Sequence, residues 1–164
     1  MNETKRCFEP VVDSHTRLLI LGSLPGEQSL LKAEYYGNKQ NKFWSLMSAV
    51  IGLELVPLAY PARLQTLREH GVGLWDVVAE AQRAGSLDSR IREQRENDLT
   101  GLLQQFPQIG TVAFNGGTAA RFGLKKLGHH ASAYRIELLP SSSPAYTAPY
   151  AEKLQRWMAL RAAL

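Results

Sequence analysis

Four short apolar runs constrain the fold of this chain more than any other feature. Each run is a few residues long, largely aliphatic and bounded by turn residues, which is typical of buried parallel strands. The runs span residues 18–21, 72–78, 109–114 and 134–139. Segments with a helical spacing of apolar residues separate them. This alternation predicts an α/β fold, a three-layer α/β/α arrangement around a central four-stranded parallel sheet.

The ends of these runs predict where a functional site would lie. In chain order the runs end at Gly22-Ser23, Asp76, Asn115-Gly116 and Pro140-Ser141. The carboxyl ends of parallel strands share one edge of a sheet, and open α/β sheets bind ligands at that edge. We therefore expect polar side chains and open backbone to meet on one rim, where a helix starting after Asn115 would add amides that favour anions.

The loop after the first run contains residue types that are common in binding and catalytic sites. Gly22-Ser-Leu-Pro-Gly26 places two glycines and a proline in five residues, which lets another molecule approach the backbone. Rings, amides and cations follow in Tyr35-Tyr36-Gly37-Asn38 and in Asn41-Lys42-Phe43-Trp44. Any single ring here is best interpreted as core. The whole cluster favours a binding site, because a core has no use for amides and lysines alternating with rings.

The composition is that of one globular domain spanning residues 1–164. Of the 164 residues, 45% are hydrophobic and 21% are charged, which separates the chain from disordered proteins. Residues 1–16 are expected to form a loosely ordered lead-in, and the polar stretch 80–96 a surface excursion. The net charge of +4 favours an anionic partner.

Several kinds of site are excluded by the sequence. Cys7 is the only cysteine, so a disulfide framework, a thiolate zinc site and a cysteine-ligated iron–sulfur cluster are ruled out, and the four histidines lack the HExxH spacing. The first glycine loop is neither a P-loop, a GxGxxG turn nor a Gly-x-Ser-x-Gly elbow. No metal is therefore expected. The polar N-terminus and the lack of a long apolar stretch predict a cytoplasmic protein that does not contact a membrane.

Together, these segments resemble the uracil-DNA glycosylase superfamily, and most closely its hypoxanthine-DNA (deoxyinosine) glycosylase branch. Gly22-Ser-Leu-Pro-Gly26 resembles the catalytic loop of that superfamily, and residues 35–44 resemble the aromatic segment beside it. Leu139-Pro-Ser-Ser-Ser-Pro-Ala145 resembles its second motif, the minor-groove loop. Weaker matches occur at residues 73–77, 85–90 and 114–116. The resemblance runs from about Arg17 to the C-terminus.

Two departures from the superfamily pattern affect what the resemblance implies. Most members carry an Asp or Asn beside the proline of the first motif to position the attacking water, whereas Leu24 precedes Pro25 here. The resemblance to the hypoxanthine branch implies that Asn41 takes over this catalytic role. Leu139 stands where the uracil enzymes have a histidine, which points away from efficient uracil removal.

The implied function is hydrolytic excision of a deaminated base, hypoxanthine above all, after the base is flipped out of DNA. Asn41 would orient the water, and Phe43 would stack on the purine. Amides around Ser23 and Gly26 would support the polarised base or the water. Asp76 or Asn115 would read the edge of the base. The loop expected to grip DNA phosphates or the minor groove consists of Pro140, Ser141, Ser142, Ser143 and Pro144.

The implied reaction needs no cofactor, because water is the nucleophile. No lysine is clearly placed for Schiff-base chemistry, so the enzyme is expected to be monofunctional, to act on DNA and to work as a monomer. Two alternatives stay open at this point. The same architecture could excise uracil or mismatched thymine, or it could be a non-catalytic nucleic-acid-binding module, since Leu24 cannot hold a water.

Overall fold

The computed structural model describes residues 4–164 of the chain. The strands are β1 (Thr4–Arg6), β2 (Leu18–Gly22), β3 (Val72–Asp76), β4 (Val78–Gln82), β5 (Arg92–Glu96), β6 (Thr111–Asn115) and β7 (Arg135–Leu139). The α-helices are α1 (Glu27–Lys32), α2 (Phe43–Ile51), α3 (Tyr60–Glu69), α4 (Leu99–Gln105), α5 (Gly117–Leu127) and α6 (Tyr150–Trp157). Short 3-10 segments occur at Asp88–Arg90, Gly128–Ala133 and Met158–Ala163.

The apolar runs form one parallel sheet in the order β3-β2-β6-β7. All five residues of β2 are buried, because neighbouring strands cover both its edges and helices cover both its faces. A strand in that position has no solvent-facing side. Its sequence is therefore continuously apolar rather than alternating.

Each face of the central sheet carries its own apolar core. Leu18 and Ile20 pack on one face with residues of α2, α3 and α6. Leu19 and Leu21 pack on the opposite face with residues of α4 and α5. Alternate residues of one strand thus reach two helical layers. The predicted three-layer α/β/α arrangement around a four-stranded parallel sheet is confirmed.

A second sheet, which the sequence analysis does not predict, lies beside the first motif. It is antiparallel and has the strand order β1-β4-β5. Within the lead-in, residues 4–6 form β1 and Val11 forms a bridge with Leu74 in β3. The part of the lead-in at residues 1–3 lies outside the described residues.

Opposite charges hold this small sheet together. Glu80 in β4 accepts hydrogen bonds from Arg6 in β1 at 3.0 Å and from Arg95 in β5 at 3.2 Å. Cross-strand pairs of this kind stabilise antiparallel neighbours. The stretch 80–96, expected to be a surface excursion, thus comprises the end of β4, a loop over residues 83–91 and the paired strand β5.

The carboxyl ends of the parallel strands meet on one rim, as predicted. Gly22 at the end of β2 is the register partner of Asp76 at the end of β3. Asn115 at the end of β6 is the register partner of Leu139 at the end of β7. Within residues 4–164, every helix is too short or too polar to span a bilayer.

Candidate active site

A cavity of about 660 Å³ opens at this rim. Its wall combines the loops after β2 and β7, the segment before α2, and the ends of β3 and β6. All of the predicted site residues line it except Phe43 and Pro140. A cavity of this size suits a small organic ligand or an extruded nucleobase.

A hydrogen bond joins the aromatic segment, residues 35–44, to the serine loop, residues 140–144. The backbone amide of Lys42 donates to the carbonyl of Ser142 at 3.0 Å. The indole of Trp157 in α6 donates to the carbonyl of Pro140 at 2.9 Å, and its ring meets Phe43 edge-on with centroids 5.8 Å apart. The aromatic segment and the serine loop therefore form one unit.

Asn41 is half-buried and lines the cavity. Its Oδ1 accepts a hydrogen bond from the amide of Phe43 at 2.9 Å, and its own backbone amide donates to the carbonyl of Asn38 at 2.9 Å. These bonds fix the carboxamide immediately before α2. A carboxamide oxygen has two lone pairs, so Oδ1 keeps one acceptor site with which it can hold a water.

The structure places the ring of Phe43 in the core, beneath Tyr36. Its side chain is completely buried, and Tyr36 stacks on its ring with centroids 3.9 Å and planes 11° apart. A base cannot stack on a ring face that another ring already covers. Tyr36 lines the cavity, and Phe43 packs against it from the core.

The first-motif loop is anchored from both sides. The Ser23 hydroxyl donates to Oδ1 of Asp88 at 2.8 Å, so this side chain is engaged within the protein. Gly26 comes close to Ser86, whose Oγ would lie 3.4 Å from a Cβ at that position. Leu24 is 6% exposed and packs against apolar residues of the second sheet. The leucine that replaces a water-binding residue therefore holds the loop in place.

Asp76 places a buried carboxyl in the cavity wall. It is 4% exposed, and its Oδ2 has no hydrogen-bond partner in the described part of the chain. Burial, with a further contribution from the negative charge of Asp88, raises the pKa of Asp76 from 3.8 to about 7, against the opposing effect of Arg83. Such a group is partly protonated at neutral pH. Perturbed carboxyls in clefts are typical of functional sites.

Asp88 and Arg83 belong to the site although the sequence analysis assigns them no role. Arg83 is completely buried and donates from its guanidinium to the carbonyls of Pro25 and, at 3.0 Å, Gly85. Its Nη1 lies 3.7 Å from Oδ1 of Asp88. Burial raises the pKa of Asp88 as well. Arg83 therefore ties the first motif to the loop that carries Asp88.

Asn115 and Ser142 bind one another. The Asn115 Nδ2 donates to the Ser142 hydroxyl, and the Ser142 amide donates to the Asn115 Oδ1, both at 2.9 Å. Ser142 is 1% exposed and its hydroxyl is engaged by Asn115, so contact of this side chain with DNA stays a prediction. Its hydrogen bonds to Asn115 position the loop. Ser141 and Ser143 are partly exposed, and Pro144 is exposed. Asn115 keeps spare donor and acceptor capacity, so its reading of a base stays a prediction.

Arg121 contributes an exposed positive charge to the cavity wall from α5. His129 and His130 lie against each other after α5, with centroids 4.2 Å apart, and do not line the cavity. Across residues 4–164, no three side chains of the His, Cys, Asp and Glu types are grouped to hold a metal ion.

The fold and the site define an α/β protein with a cavity for a flat polar ring at the ends of its parallel strands. Residues 9–163 match the uracil DNA glycosylase superfamily, and the chain belongs to that superfamily. This confirms the family predicted from the two motifs. Membership of this superfamily implies that the substrate is DNA.

Similar proteins come from two species of Methanosarcina. Two relatives called hypoxanthine DNA glycosylase, from Methanosarcina acetivorans and Methanosarcina barkeri, are 42% and 38% identical over 143 residues. The aligned part is 86% of this chain and 87% of each relative. A solution NMR structure described as a uracil DNA glycosylase from M. acetivorans superimposes with a TM-score of 0.86 at 38% identity, covering 97% of both chains.

Proposed function

We propose that this protein is a monofunctional DNA glycosylase that flips hypoxanthine out of DNA and hydrolyses its N-glycosidic bond. The observation that carries the proposal is the junction of the Asn41 segment with the serine loop around one cavity. The names of the two Methanosarcina relatives support the choice of base. Hypoxanthine pairs poorly, which lowers the cost of extruding it from the helix.

The extruded purine would stack on Tyr36. Base–aromatic stacking is worth roughly 1–3 kcal/mol per base, and it needs a ring that is held rigidly. Phe43 provides this rigidity, because it fills the space behind Tyr36 and is completely buried. The edge of the base would face Asp76, and Asn115 would offer both a donor and an acceptor to it.

Asn41 would position the attacking water. Its Oδ1 is oriented by the amide of Phe43 and has a lone pair left for a water proton. As the glycosidic bond breaks, positive charge grows on the sugar and negative charge on the base. Backbone amides around Ser23 and Gly26 would stabilise the polarised base or the water.

The mouth of the cavity would bind the DNA backbone. Lys39, Lys42 and Arg121 are exposed, and they lie on or beside the segments that line the cavity. Ser141 and Ser143 would donate hydrogen bonds to phosphate oxygens. The enzyme would act on DNA that contains a deaminated base. It would act as a monomer in the cytoplasm.

The test is base release from duplexes that contain inosine, uracil or a G·T mismatch. Alkali cleaves the strand at each abasic site, and strand breaks without alkali would contradict a monofunctional enzyme. We expect release from the inosine duplex, and release of uracil alone would overturn the substrate assignment. Failure to release any damaged base would favour a non-catalytic DNA-binding module.

Asn41→Ala provides the matched test of the catalytic residue. Removing a group that orients the nucleophile should lower the single-turnover rate by about 100-fold or more, since electrostatic positioning groups typically contribute that much. DNA affinity should be retained. Gln40→Ala is the control, because it removes an exposed carboxamide one residue away. Equal rates for the Asn41→Ala and Gln40→Ala proteins would remove Asn41 from the mechanism.

A further inference from the structure

Two carboxyls of the cavity wall and one completely buried guanidinium next to them form a cluster whose charges do not balance. Asp76 and Arg83 are buried, and the Asp88 side chain is 40% exposed. Arg83 lies 3.7 Å from Asp88 and donates to two backbone carbonyls. Arg83 therefore interacts with Asp88 and with the loop backbone. Oδ2 of Asp76 has no hydrogen bond within residues 4–164.

The Asp76 carboxyl occupies space beside β2 that is open because residue 22 is a glycine. A Cβ at Gly22 would lie 2.6 Å from Oδ1 of Asp76 and 3.2 Å from the hydroxyl of Tyr36. The carboxyl and the hydroxyl thus converge over a glycine, and any side chain there would displace one of them. The Tyr36 hydroxyl is also buried without a partner in the described chain. Two unpartnered polar atoms beside a stacking ring point to a polar, ring-shaped ligand.

We propose that Asp76 is the general acid of the reaction, donating its proton to a ring nitrogen of the departing purine. This inference rests on the proposed glycosylase function and extends it. The C1′–N9 bond breaks, and its electron pair moves to the purine. The proton of Asp76 neutralises the purine through N3 or N7. The oxygen of the water held by Asn41 bonds to C1′, and the surplus proton of that water passes to solvent, from which Asp76 is protonated again.

A general acid at this position would favour the release of purines over the release of pyrimidines. Hypoxanthine has ring nitrogens with a free lone pair that can accept a proton. The ring nitrogen of uracil that does not join the sugar already carries a hydrogen. A proton donor at this position can therefore protonate a ring nitrogen of hypoxanthine, whereas uracil offers it only carbonyl oxygens.

The ionisable groups around Asp76 indicate which group would cause a pH dependence of the reaction near neutrality. The ionisable groups that influence it or are influenced by it are Asp88, Arg83, Tyr36, Tyr35 and Cys7. Burial raises the pKa of both tyrosines and of the cysteine, so these three are neutral around pH 7. Arg83 keeps its charge. Asp76, whose pKa is raised to about 7, changes protonation near neutrality, and burial raises the pKa of the neighbouring Asp88 as well.

The experiment is a single-turnover pH profile of hypoxanthine release between pH 5 and pH 9. The wild-type rate should fall tenfold per pH unit above about pH 7, where Asp76 loses its proton. Asp76→Asn keeps the size and hydrogen-bonding capacity of the side chain but has no proton to transfer. At pH 6 this variant should be about 100-fold slower or worse, the usual contribution of a general acid, and its profile should lack the falling limb.

Asp88→Asn provides a readout that a structural role would not move. Removing the neighbouring negative charge lowers the pKa of Asp76, so the falling limb should shift to lower pH. A wild-type rate that is flat or rises through pH 7, or an Asp76→Asn protein with the wild-type profile, would overturn the inference while hypoxanthine release still upholds the proposed function. Absence of hypoxanthine release by the wild type at every pH would instead refute the proposed function.

Discussion

Asp76→Asn should make the protein less sensitive to alkaline pH. The native fold holds the Asp76 proton far more tightly than the unfolded chain does, because the carboxyl is buried and unpartnered. As the pH rises from about 4 to about 7, the unfolded chain gives up a proton that the native protein keeps. The free energy of unfolding of the wild type therefore falls across this window.

The size of the effect follows from the two pKa values. A tenfold change in proton affinity is worth about 1.4 kcal/mol. A rise in pKa from 3.8 to about 7 thus corresponds to a loss of up to about 4 kcal/mol once the pH exceeds 7. Asparagine does not titrate, so Asp76→Asn lacks this loss. The cost of burying the amide itself changes the absolute stability of the variant but not its dependence on pH.

Urea denaturation between pH 4 and pH 8, followed by tryptophan fluorescence, measures the difference. The stability of Asp76→Asn relative to wild type should grow by several kcal/mol from the acid end to the alkaline end. Glu54→Gln, which alters an exposed carboxylate in the loop after α2, is the control and should run parallel to wild type. Parallel curves for wild type and Asp76→Asn would refute the assignment of a raised pKa to this carboxyl.

Three other substitutions test the remaining geometry. Phe43→Ala removes a completely buried ring and should lower the free energy of unfolding by about 3–5 kcal/mol in urea titrations, whereas a ring that served only to stack on a base would cost much less. Tyr36→Leu, made in the Asn41→Ala background, should weaken binding of inosine-containing DNA by about 1–3 kcal/mol in fluorescence titrations and leave affinity for undamaged DNA unchanged. Gly22→Ala places a methyl group 2.6 Å from Oδ1 of Asp76 and should reduce hypoxanthine release in single-turnover assays; wild-type release would show that the carboxyl and hydroxyl do not need this open space.

Sequence patterns predict the central sheet because its determinants are local. A continuous apolar run such as residues 18–21 is completely buried only in a strand that is covered on both faces. Glycine, proline or a polar residue ends each run. The same patterns miss β1, β4 and β5. These strands contain charged residues without a clear alternation, and they form because β4 pairs with β1 and β5 and buries apolar residues against Leu24 and Ile91.

The candidate site shows the same division. The meeting of the first motif with the serine loop follows from the parallel strand order, which places both at one rim. Which ring faces the cavity is not encoded locally, because Tyr36 and Phe43 are equally aromatic. Their order is set by the packing of Phe43 against Trp157 and Trp44 in the core.

The sequence by itself determined the layered α/β fold, the rim at which the site lies and the family, because apolar runs, turn residues and motif spacing are properties of short segments. The tertiary structure alone decided that Tyr36 covers Phe43, that Ser142 is buried against Asn115, and that burial raises the pKa of Asp76. Each of these depends on which groups exclude water from a side chain or place a charge beside it. Those groups come from distant parts of the chain, and only folding brings them together.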